Sequence, residues 1–219
     1  MKIIHIGWYR SDPVGGVGKT ILEQTRALAE AGADIEIWHI GADCTVPQTE
    51  DVGEMYPVWK LPAETRSIRR FLRLPDITEH WIRARGNEIA VIHLHSVFTI
   101  YNCHVASLAR KLGIPYVITP NGGWNDVVLQ GHRKMVKMLW ICLYERRMWN
   151  KAAFIQGVSL EEIRQLRSRP GMADLRHIPN GTAIPKSCSD HLERNCILYV
   201  GRYDIRQKGL DVMFEAINC

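Results

Sequence analysis

Long apolar runs are missing from this 219-residue sequence. The longest is Met138–Tyr144, whereas a helix that spans a bilayer needs about 20 apolar residues. The first residues, Met1–Ile6, also lack the apolar segment and small-residue cleavage site of a secretory signal. These absences exclude a membrane-spanning segment, and we expect a cytoplasmic protein. With 46% hydrophobic and 23% charged residues, the chain has a globular composition rather than a disordered one.

Closely paired cysteines are missing as well. The six cysteines are scattered without a CxxC pair, which favours reduced, structural thiols over a disulfide framework. Cys188, His191 and Cys196 lie close together in a polar segment, but a fourth ligand is not evident and the spacing matches no standard zinc site. We therefore predict no bound metal. No internal repeat or low-complexity tract is visible.

The net charge is also modest, at +5. We expect no nucleic-acid partner. The positive charge is concentrated in residues 131–151 and in a second segment with four arginines at helical i, i+3, i+4 and i+7 spacing. Those are Arg66, Arg69, Arg70 and Arg73. A basic amphipathic helix of this kind can lie on an anionic membrane, although the same pattern also suits a solvated helix face.

What the sequence does contain is an alternation of strand-like and helix-like segments. A helix with apolar residues at helical spacing follows the first strand, and similar units recur to residue 181. This alternation predicts an α/β fold, a Rossmann-like doubly wound parallel sheet. The strands are expected at Lys2–Trp8, Asp34–Ile40, Ile89–His93, Pro115–Thr119, Ala153–Val158, Leu175–Ile178 and Cys196–Val200. The region between residues 41 and 88 is interpreted as loop-rich.

In such sheets ligands bind beyond the carboxyl ends of the strands, so the loops that follow strands are the candidate site. They contain Gly15, Gly16, His95, Asn121, Gly122 and Asn180. His93 and His95 are expected on different sides of their strand end, with His95 toward the cleft.

The segment Gly15–Thr20 has two interpretations. Gly-Lys-Thr between a strand and a helix suggests a phosphate-binding loop that uses Lys19, but Pro13 and Val14 occupy positions that the two known versions reserve for other residues. Alternatively, the glycine pair opens a helix whose N–H groups and dipole favour an anionic ligand. Lys19 would then lie on the helix surface.

Two cations near the end of the chain, Arg202 and Lys208, flank a predicted strand-to-helix loop. An arginine can bind two phosphate oxygens as a fork while a lysine supplies a point charge. Together they could neutralise a diphosphate leaving group. A solvated surface loop is the alternative.

Three ordered motifs, Gly15-Gly16, Ile178-Pro179-Asn180-Gly181 and Val200-Gly201-Arg202…Lys208-Gly209-Leu210, resemble the family 4 glycosyltransferases of the two-domain GT-B type. The resemblance implies a retaining enzyme that needs no metal or other cofactor. It implies a nucleotide-diphosphate sugar as donor and a saccharide or lipid-linked acceptor, with Arg202 and Lys208 on the donor diphosphate. Asn121 departs from the family pattern, since many relatives have histidine in this loop. Asparagine can hydrogen-bond a sugar but cannot titrate near neutral pH, which argues against an acid-base role there.

On this basis residues 1–181 form the acceptor-side domain, 182–195 the linker and 196–219 the first strand-helix unit of a truncated donor domain. We expect the 219 residues alone to be inactive, and possible association with the cytoplasmic face of a membrane follows from the basic segments. The alternatives are a P-loop ATPase that uses Gly15–Thr20 and a non-catalytic remnant that only binds ligand or membrane.

Overall fold

The computed structural model describes residues 1–7, 15–41, 44–51, 53–63, 73–182, 198–201, 205 and 209–217. The chain divides into two compact units, Met1–Thr182 and Ala183–Cys219. Arg66, Arg69, Arg70, Arg202, Lys208 and the Cys188–Cys196 segment lie outside the described residues, whereas Arg73 is described and exposed. No described helix has the length and hydropathy that crossing a bilayer requires.

The first unit is built on an eight-stranded sheet of order β3-β4-β2-β1-β5-β6-β7-β8. Every pairing is parallel except that of β3 with β4. The strands are β1 (Lys2–Ile6), β2 (Ile35–Gly41), β3 (Gln48–Glu50), β4 (Val58–Pro62), β5 (Ile89–His95), β6 (Tyr116–Thr119), β7 (Phe154–Gly157) and β8 (Leu175–His177). The α/β fold predicted from the alternation of segments is confirmed.

Helices connect most of these strands. Among the described residues of the first unit they are α1 (Gly16–Glu30), α2 (Asp76–Ala84), α3 (Ile100–Leu112), α4 (Asp126–Gln130), α5 (Lys134–Trp140), a π-helical turn (Ile141–Glu145), α6 (Arg146–Trp149) and α7 (Leu160–Arg167). Gly86–Glu88 forms a short 3-10 turn. In the second unit, α8 spans Leu210–Ile217.

Both faces of the sheet are covered, because parallel strands joined by helical crossovers bury both sides. Alternate residues of a strand point to opposite faces, and β1 shows the consequence. Ile4 and Ile6 belong to the larger hydrophobic cluster, whereas His5 points to the opposite face, toward Thr25 of α1. The α1 face also holds a smaller apolar cluster, built around Ile21 and Ile37.

Three differences from the sequence-based expectation concern secondary structure. The interval between residues 41 and 88 contains β3, β4 and α2 rather than loop alone. The helix expected over 131–151 consists of α5, the π turn and α6, and is preceded by the separate α4. Leu198–Val200, the described part of the strand expected at Cys196–Val200, forms neither helix nor strand.

A buried carboxylate, Glu36, forms ion pairs with Arg85 (2.7 Å) and Lys2 (3.2 Å) near the start of β2. The Glu36 side chain accepts hydrogen bonds from Arg85 (2.7 Å) and Trp38 (3.0 Å). The Arg85 guanidinium also lies 4.6 to 5.7 Å from the ring centroids of Trp38, Trp59 and Trp81, within reach of cation–π attraction. Burial opposes ionisation of Glu36, but hydrogen bonds from Arg85 and Trp38 outweigh it and hold the pKa of this carboxyl below its ordinary value.

Candidate functional site

The sheet reverses its winding direction between β1 and β5. From β1 the chain continues to β2 on one side, and from β5 it continues to β6 on the other. Open α/β sheets bind ligands at such a switch point, beyond the carboxyl ends of the strands. Here those ends are Ile6 of β1 and His95 of β5.

A cavity of about 290 Å³ lies at this switch point. Its walls come from the ends of β1, β2 and β5 and from the first residues of α3. The lining residues are Ile6, Gly7, His39, Ile40, His95, Ser96, Thr99, Tyr101 and Asn102. None of these nine is Asp, Glu, Lys or Arg, so imidazole, hydroxyl and amide groups supply the polarity. Such a lining suits a neutral ligand with hydroxyl groups better than an anion.

The loop after β5 has an unusual backbone. Ser96 and Phe98 have φ values of 70° and 59°, which residues with a Cβ seldom adopt. The Asn102 side-chain amide donates to the carbonyl oxygens of His95 (2.9 Å) and Ser96 (3.0 Å). Strained backbone at the mouth of a cavity is common where side chains must be positioned for a ligand.

Glu145, which lies in the π-helical turn, forms a hydrogen bond with this loop. One carboxylate oxygen accepts from the Phe98 backbone N–H and from the Trp140 indole (3.2 Å), and the other accepts from the Trp124 indole (2.5 Å). Its side chain is fully buried, and that burial raises the pKa of the Glu145 carboxyl although the three donors oppose the shift. Glu145 was absent from the sequence-based site, and π-helical turns, which often mark functional sites, leave no clear sequence signal.

The predicted Asn121–Gly122 loop follows β6, and a second carboxylate holds it. Asn121 and Gly122 have φ values of 52° and 76°. The Gly122 N–H donates to one oxygen of Glu162 (2.7 Å), while the Val158 N–H donates to the other (2.8 Å). Glu162 thus ties the loop after β6 to the loop after β7.

Glu162 also takes part in the start of α7, where the pattern Ser159-Leu160-Glu161-Glu162 is typical of a capping box. The N-cap is present, since Ser159 Oγ accepts from the Glu162 N–H (3.1 Å). The Glu162 carboxylate, however, accepts from Gly122 and Val158 rather than returning to the backbone of Ser159 as a capping box would require.

His93 and His95 do not lie on different sides of β5. Residues i and i+2 of a strand share a face, and the two ring centroids are 4.0 Å apart. His5, on the neighbouring β1, lies 4.9 Å from His93 and 5.0 Å from His95. The expectation that separated the two histidines was therefore wrong, and His5 was missed.

All three imidazoles are neutral near pH 7. Burial lowers the pKa of His5 to about 3, with His93 adding to the effect. Burial lowers the pKa of His93 to about 4 and that of His95 well below its ordinary value. His95 lines the cavity but is only 1% exposed, and both of its ring nitrogens are buried.

Of the predicted cleft residues that the structure describes, only His95 lines this cavity, and the others are Gly15, Gly16, Asn121, Gly122 and Asn180. Gly15 (φ 110°) precedes α1 and Gly16 begins it, and both are exposed. Asn180, also exposed, accepts a 3.5 Å hydrogen bond from Gln24. Because Gln24 follows Gly16 by about two helical turns, Asn180 lies along α1 rather than at its first residues.

Comparison with known proteins agrees with this architecture. Residues 15–181 match the family described as "Glycosyl transferase 4-like domain". Sucrose-phosphate synthase from Thermosynechococcus elongatus is similar in structure, with a TM-score of 0.58 and 14% identity over 83% of this chain and 48% of the synthase chain. A shorter structure of that synthase gives a TM-score of 0.54 and 15% identity over 83% of this chain and 90% of the other.

At this identity the structural likeness concerns the fold. The chain spans about half of the first synthase chain, and no curated protein sequence matches it significantly. The family match, in contrast, covers well over half of the chain and contains every strand from β2 to β8. The chain belongs to the glycosyltransferase 4-like family, and its first unit is a Rossmann-like domain of the GT-B type.

Proposed function

We propose that this chain is the acceptor-side part of a retaining glycosyltransferase that moves a sugar from a nucleotide-diphosphate sugar to a saccharide or lipid-linked acceptor. The observation that carries the proposal is the cavity at the β1–β5 switch point, in a chain of the glycosyltransferase 4-like family. None of the described lining residues is Asp, Glu, Lys or Arg, and the pKa of His95 is held well below its ordinary value. A lining of hydroxyl, amide and neutral imidazole groups favours a sugar acceptor.

The donor is expected to be held by the diphosphate clamp of Arg202 and Lys208. In this proposal the departing phosphate removes the proton of the acceptor hydroxyl and the two cations stabilise the charge that develops, so the reaction uses no metal. Both residues lie outside the described part of the chain, and their role rests on the family resemblance.

The 219 residues by themselves are proposed to transfer no sugar. In the second unit, Leu198 and Val200 are 83% and 84% exposed, and Phe214 of α8 is 56% exposed. A short element with so much exposed apolar surface seldom holds a fixed geometry in water. Catalysis by a charge clamp requires cations that are positioned in advance.

A P-loop ATPase is the rival function, and contacts at the start of α1 weigh against it. The Thr20 hydroxyl, which a P-loop would use to bind Mg²⁺, donates to the Gly16 carbonyl (2.9 Å). Lys19 is exposed on α1. The ATPase interpretation also explains only six residues, Gly15–Thr20, of a match that extends to residue 181.

Gly16→Trp and Lys19→Ala separate the two functions. A Cβ on Gly16 would meet no atom of the described residues within 4 Å, so the fold should tolerate the indole. Gly16 does not line the cavity, but the family resemblance implies that the Gly15-Gly16 loop approaches donor and acceptor, and the indole should obstruct that approach. In a protein that contains this chain and a complete donor domain, nucleotide release from uridine or guanosine diphosphate sugars should fall at least 100-fold in Gly16→Trp and stay unchanged in Lys19→Ala. Magnesium-dependent ATP hydrolysis that Lys19→Ala abolishes would overturn the proposal.

The acceptor is further proposed to be presented at a membrane surface. Four exposed apolar residues form a stripe along α5 and the π turn, at positions i, i+1, i+4 and i+8. They are Met135 (80% exposed), Val136 (61%), Leu139 (60%) and Leu143 (61%). Exposed cations flank this apolar stripe at Arg133, Lys134, Arg146 and Arg147. Apolar residues beside cations favour an anionic lipid surface, where each cation contributes about 1 kcal/mol.

Vesicle sedimentation tests the membrane proposal. The chain should bind vesicles with anionic lipid more tightly than neutral ones, and Leu139→Ser combined with Leu143→Ser should weaken binding. Leu160→Ser is the matched control, because Leu160 is 70% exposed on α7, outside the apolar stripe. Equal sedimentation on neutral vesicles, or equal losses in the control, would contradict the proposal. The contribution of Arg66, Arg69, Arg70 and Arg73 stays a prediction for the same assay.

A further inference from the structure

Three histidines converge on the α1 face of the sheet. His5 of β1 pairs in register with His93 of β5, and His95 follows two residues later on the same face. Each offers a ring nitrogen, and these three atoms lie within 4.8 Å of one another. His5 and His95 are each 1% exposed. Three imidazoles so close together in a protein interior require an explanation other than apolar packing.

Thr25 determines which nitrogen of His5 is free. The Thr25 hydroxyl donates its only proton to the Ile21 carbonyl at 2.7 Å. The same oxygen lies 3.1 Å from His5 Nδ1, so it must accept a hydrogen bond from an N–H group at that nitrogen. His5 Nε2 is left with its lone pair and without a proton, which is the form that binds a metal.

His93 and His95 complete the set. His93 Nε2 lies 2.6 Å from the Thr119 hydroxyl, which leaves Nδ1 for another partner. Both ring nitrogens of His95 are buried and have no hydrogen-bond partner among the described residues. A buried imidazole with neither nitrogen bonded is costly, and a bound ion would satisfy one of the two nitrogens.

We propose that His5, His93 and His95 bind one divalent transition-metal ion, Zn²⁺ foremost, with water as the fourth ligand. Two imidazoles bound to one zinc at about 2.1 Å, with a tetrahedral angle between them, have ring centroids about 5 Å apart. The observed centroid distances are 4.9, 5.0 and 4.0 Å. Small rotations of His93 and His95 bring the three nitrogens onto one ion.

The chemistry of the ligands selects this class of metal. Neutral imidazoles suit zinc and its transition-metal neighbours, whereas magnesium and calcium require oxygen ligands. Thr25 and Thr119 orient two of the rings, as outer-shell partners of metal-bound histidines do.

The cavity supplies an entry path for the ion and room for the fourth ligand. His95 forms part of its wall, and Gly7 lies beside His95, since a Cβ on Gly7 would come within 3.4 Å of the His95 Cβ. The ion would join β1 to β5 beneath α1. This role is independent of sugar transfer, which is proposed to proceed without a metal, so the site can fail its test without affecting the proposed function.

Cobalt binding provides the test. The full chain, stripped with a chelator, should take up one Co²⁺ with the visible absorption of a four-coordinate nitrogen and oxygen site, and Zn²⁺ should displace it. His93→Gln and His95→Gln should each weaken binding about 100-fold, with folding checked by circular dichroism. Thr25→Val, which keeps all three ligands, should weaken binding by about 10-fold to 100-fold.

Two control variants locate the ion. His80→Gln changes an exposed histidine on α2, and Cys142→Ser removes an exposed thiol; neither should alter cobalt binding. If His95→Gln fails to fold, His93→Gln and Thr25→Val decide the outcome. Absence of cobalt uptake by the folded chain, or uptake that is equal in wild type, His93→Gln and Thr25→Val, would overturn the proposal.

Discussion

Replacing Glu145 tests whether a single buried carboxylate holds the loops around the cavity. Its two oxygens accept from three donors: the Phe98 backbone and the indoles of Trp124 and Trp140. Glu145→Gln keeps one acceptor oxygen and turns the other into a donor. The oxygen that serves both Phe98 and Trp140 can remain, and the Trp124 indole then faces an N–H group.

The expected loss of stability follows from those contacts. A hydrogen bond to a charged group contributes about 1.5–3 kcal/mol, and a buried donor without a partner costs about 1–3 kcal/mol. Removal of a buried charge offsets part of this loss, because burial raises the pKa of Glu145. We therefore expect Glu145→Gln to lower the free energy of unfolding by about 1–3 kcal/mol. Glu145→Ala, which leaves all three donors without a partner, should lower it further.

Urea denaturation of the full chain measures this loss. The urea concentration at the unfolding midpoint should fall, while the dependence of the unfolding free energy on urea concentration stays unchanged. Glu161→Gln is the matched control, because Glu161 is an exposed glutamate on α7, and its midpoint should stay at the wild-type value. Hydrogen exchange should also accelerate at the Phe98 amide. A wild-type midpoint together with unchanged exchange at Phe98 in Glu145→Gln would refute the argument.

The pH dependence of the same protein gives a second measure. Because the pKa of Glu145 is raised in the folded state, its protonation favours folding, and its contribution declines as the pH rises from about 4.3 through the folded-state pKa. Glu145→Gln should remove this decline. A decline that persists in the variant would show that another group is responsible.

Three further predictions concern carboxylates and their partners. Arg85→Met should destabilise the fold by about 1–3 kcal/mol, since the buried Glu36 carboxylate loses the Arg85 hydrogen bond but keeps Trp38 (3.0 Å) and the Lys2 ion pair (3.2 Å); a denaturation midpoint near wild type would contradict this. Because the pKa of Glu36 is lowered in the folded state, its contribution is present above about pH 4.3 and is lost as the pH falls through the folded-state pKa. Glu36→Gln should therefore reduce the loss of unfolding free energy at low pH. An unchanged loss in the variant would show that other groups cause it. Glu162→Gln keeps one acceptor oxygen for two backbone donors, so the free energy of unfolding should fall by about 1–3 kcal/mol. Hydrogen exchange at the Gly122 amide should accelerate, whereas the exposed control Glu161→Gln should change neither quantity.

Much of the fold could be predicted because its signals are local. An apolar stretch followed by a helical period identifies a β-strand and its following helix without reference to distant residues. A helix cap such as Ser159 is also a local signal, since its partner Glu162 is only three residues away. The strands β3 and β4 were missed because they are short and lie among prolines, which usually indicate loops.

The candidate site was predicted only in part. The sequence indicated the loops after the strands, and His95 does line the cavity at the end of β5. The sequence-based prediction placed His93 on the wrong side of the strand. The two-residue period of a strand was enough to put His93 and His95 on one face. The partners of His95 could not be inferred, because His5 approaches it only through the pairing of β1 with β5.

The sequence by itself determined the class of fold, the order of its elements and the resemblance to a glycosyltransferase family, because these depend on local periodicity and on motifs that are contiguous in the chain. Tertiary structure alone decided which side chains meet. Glu145 reaches Phe98 across 47 residues and Glu162 reaches Gly122 across 40. Such contacts depend on strand order, register and helix docking together, and no local pattern records all three.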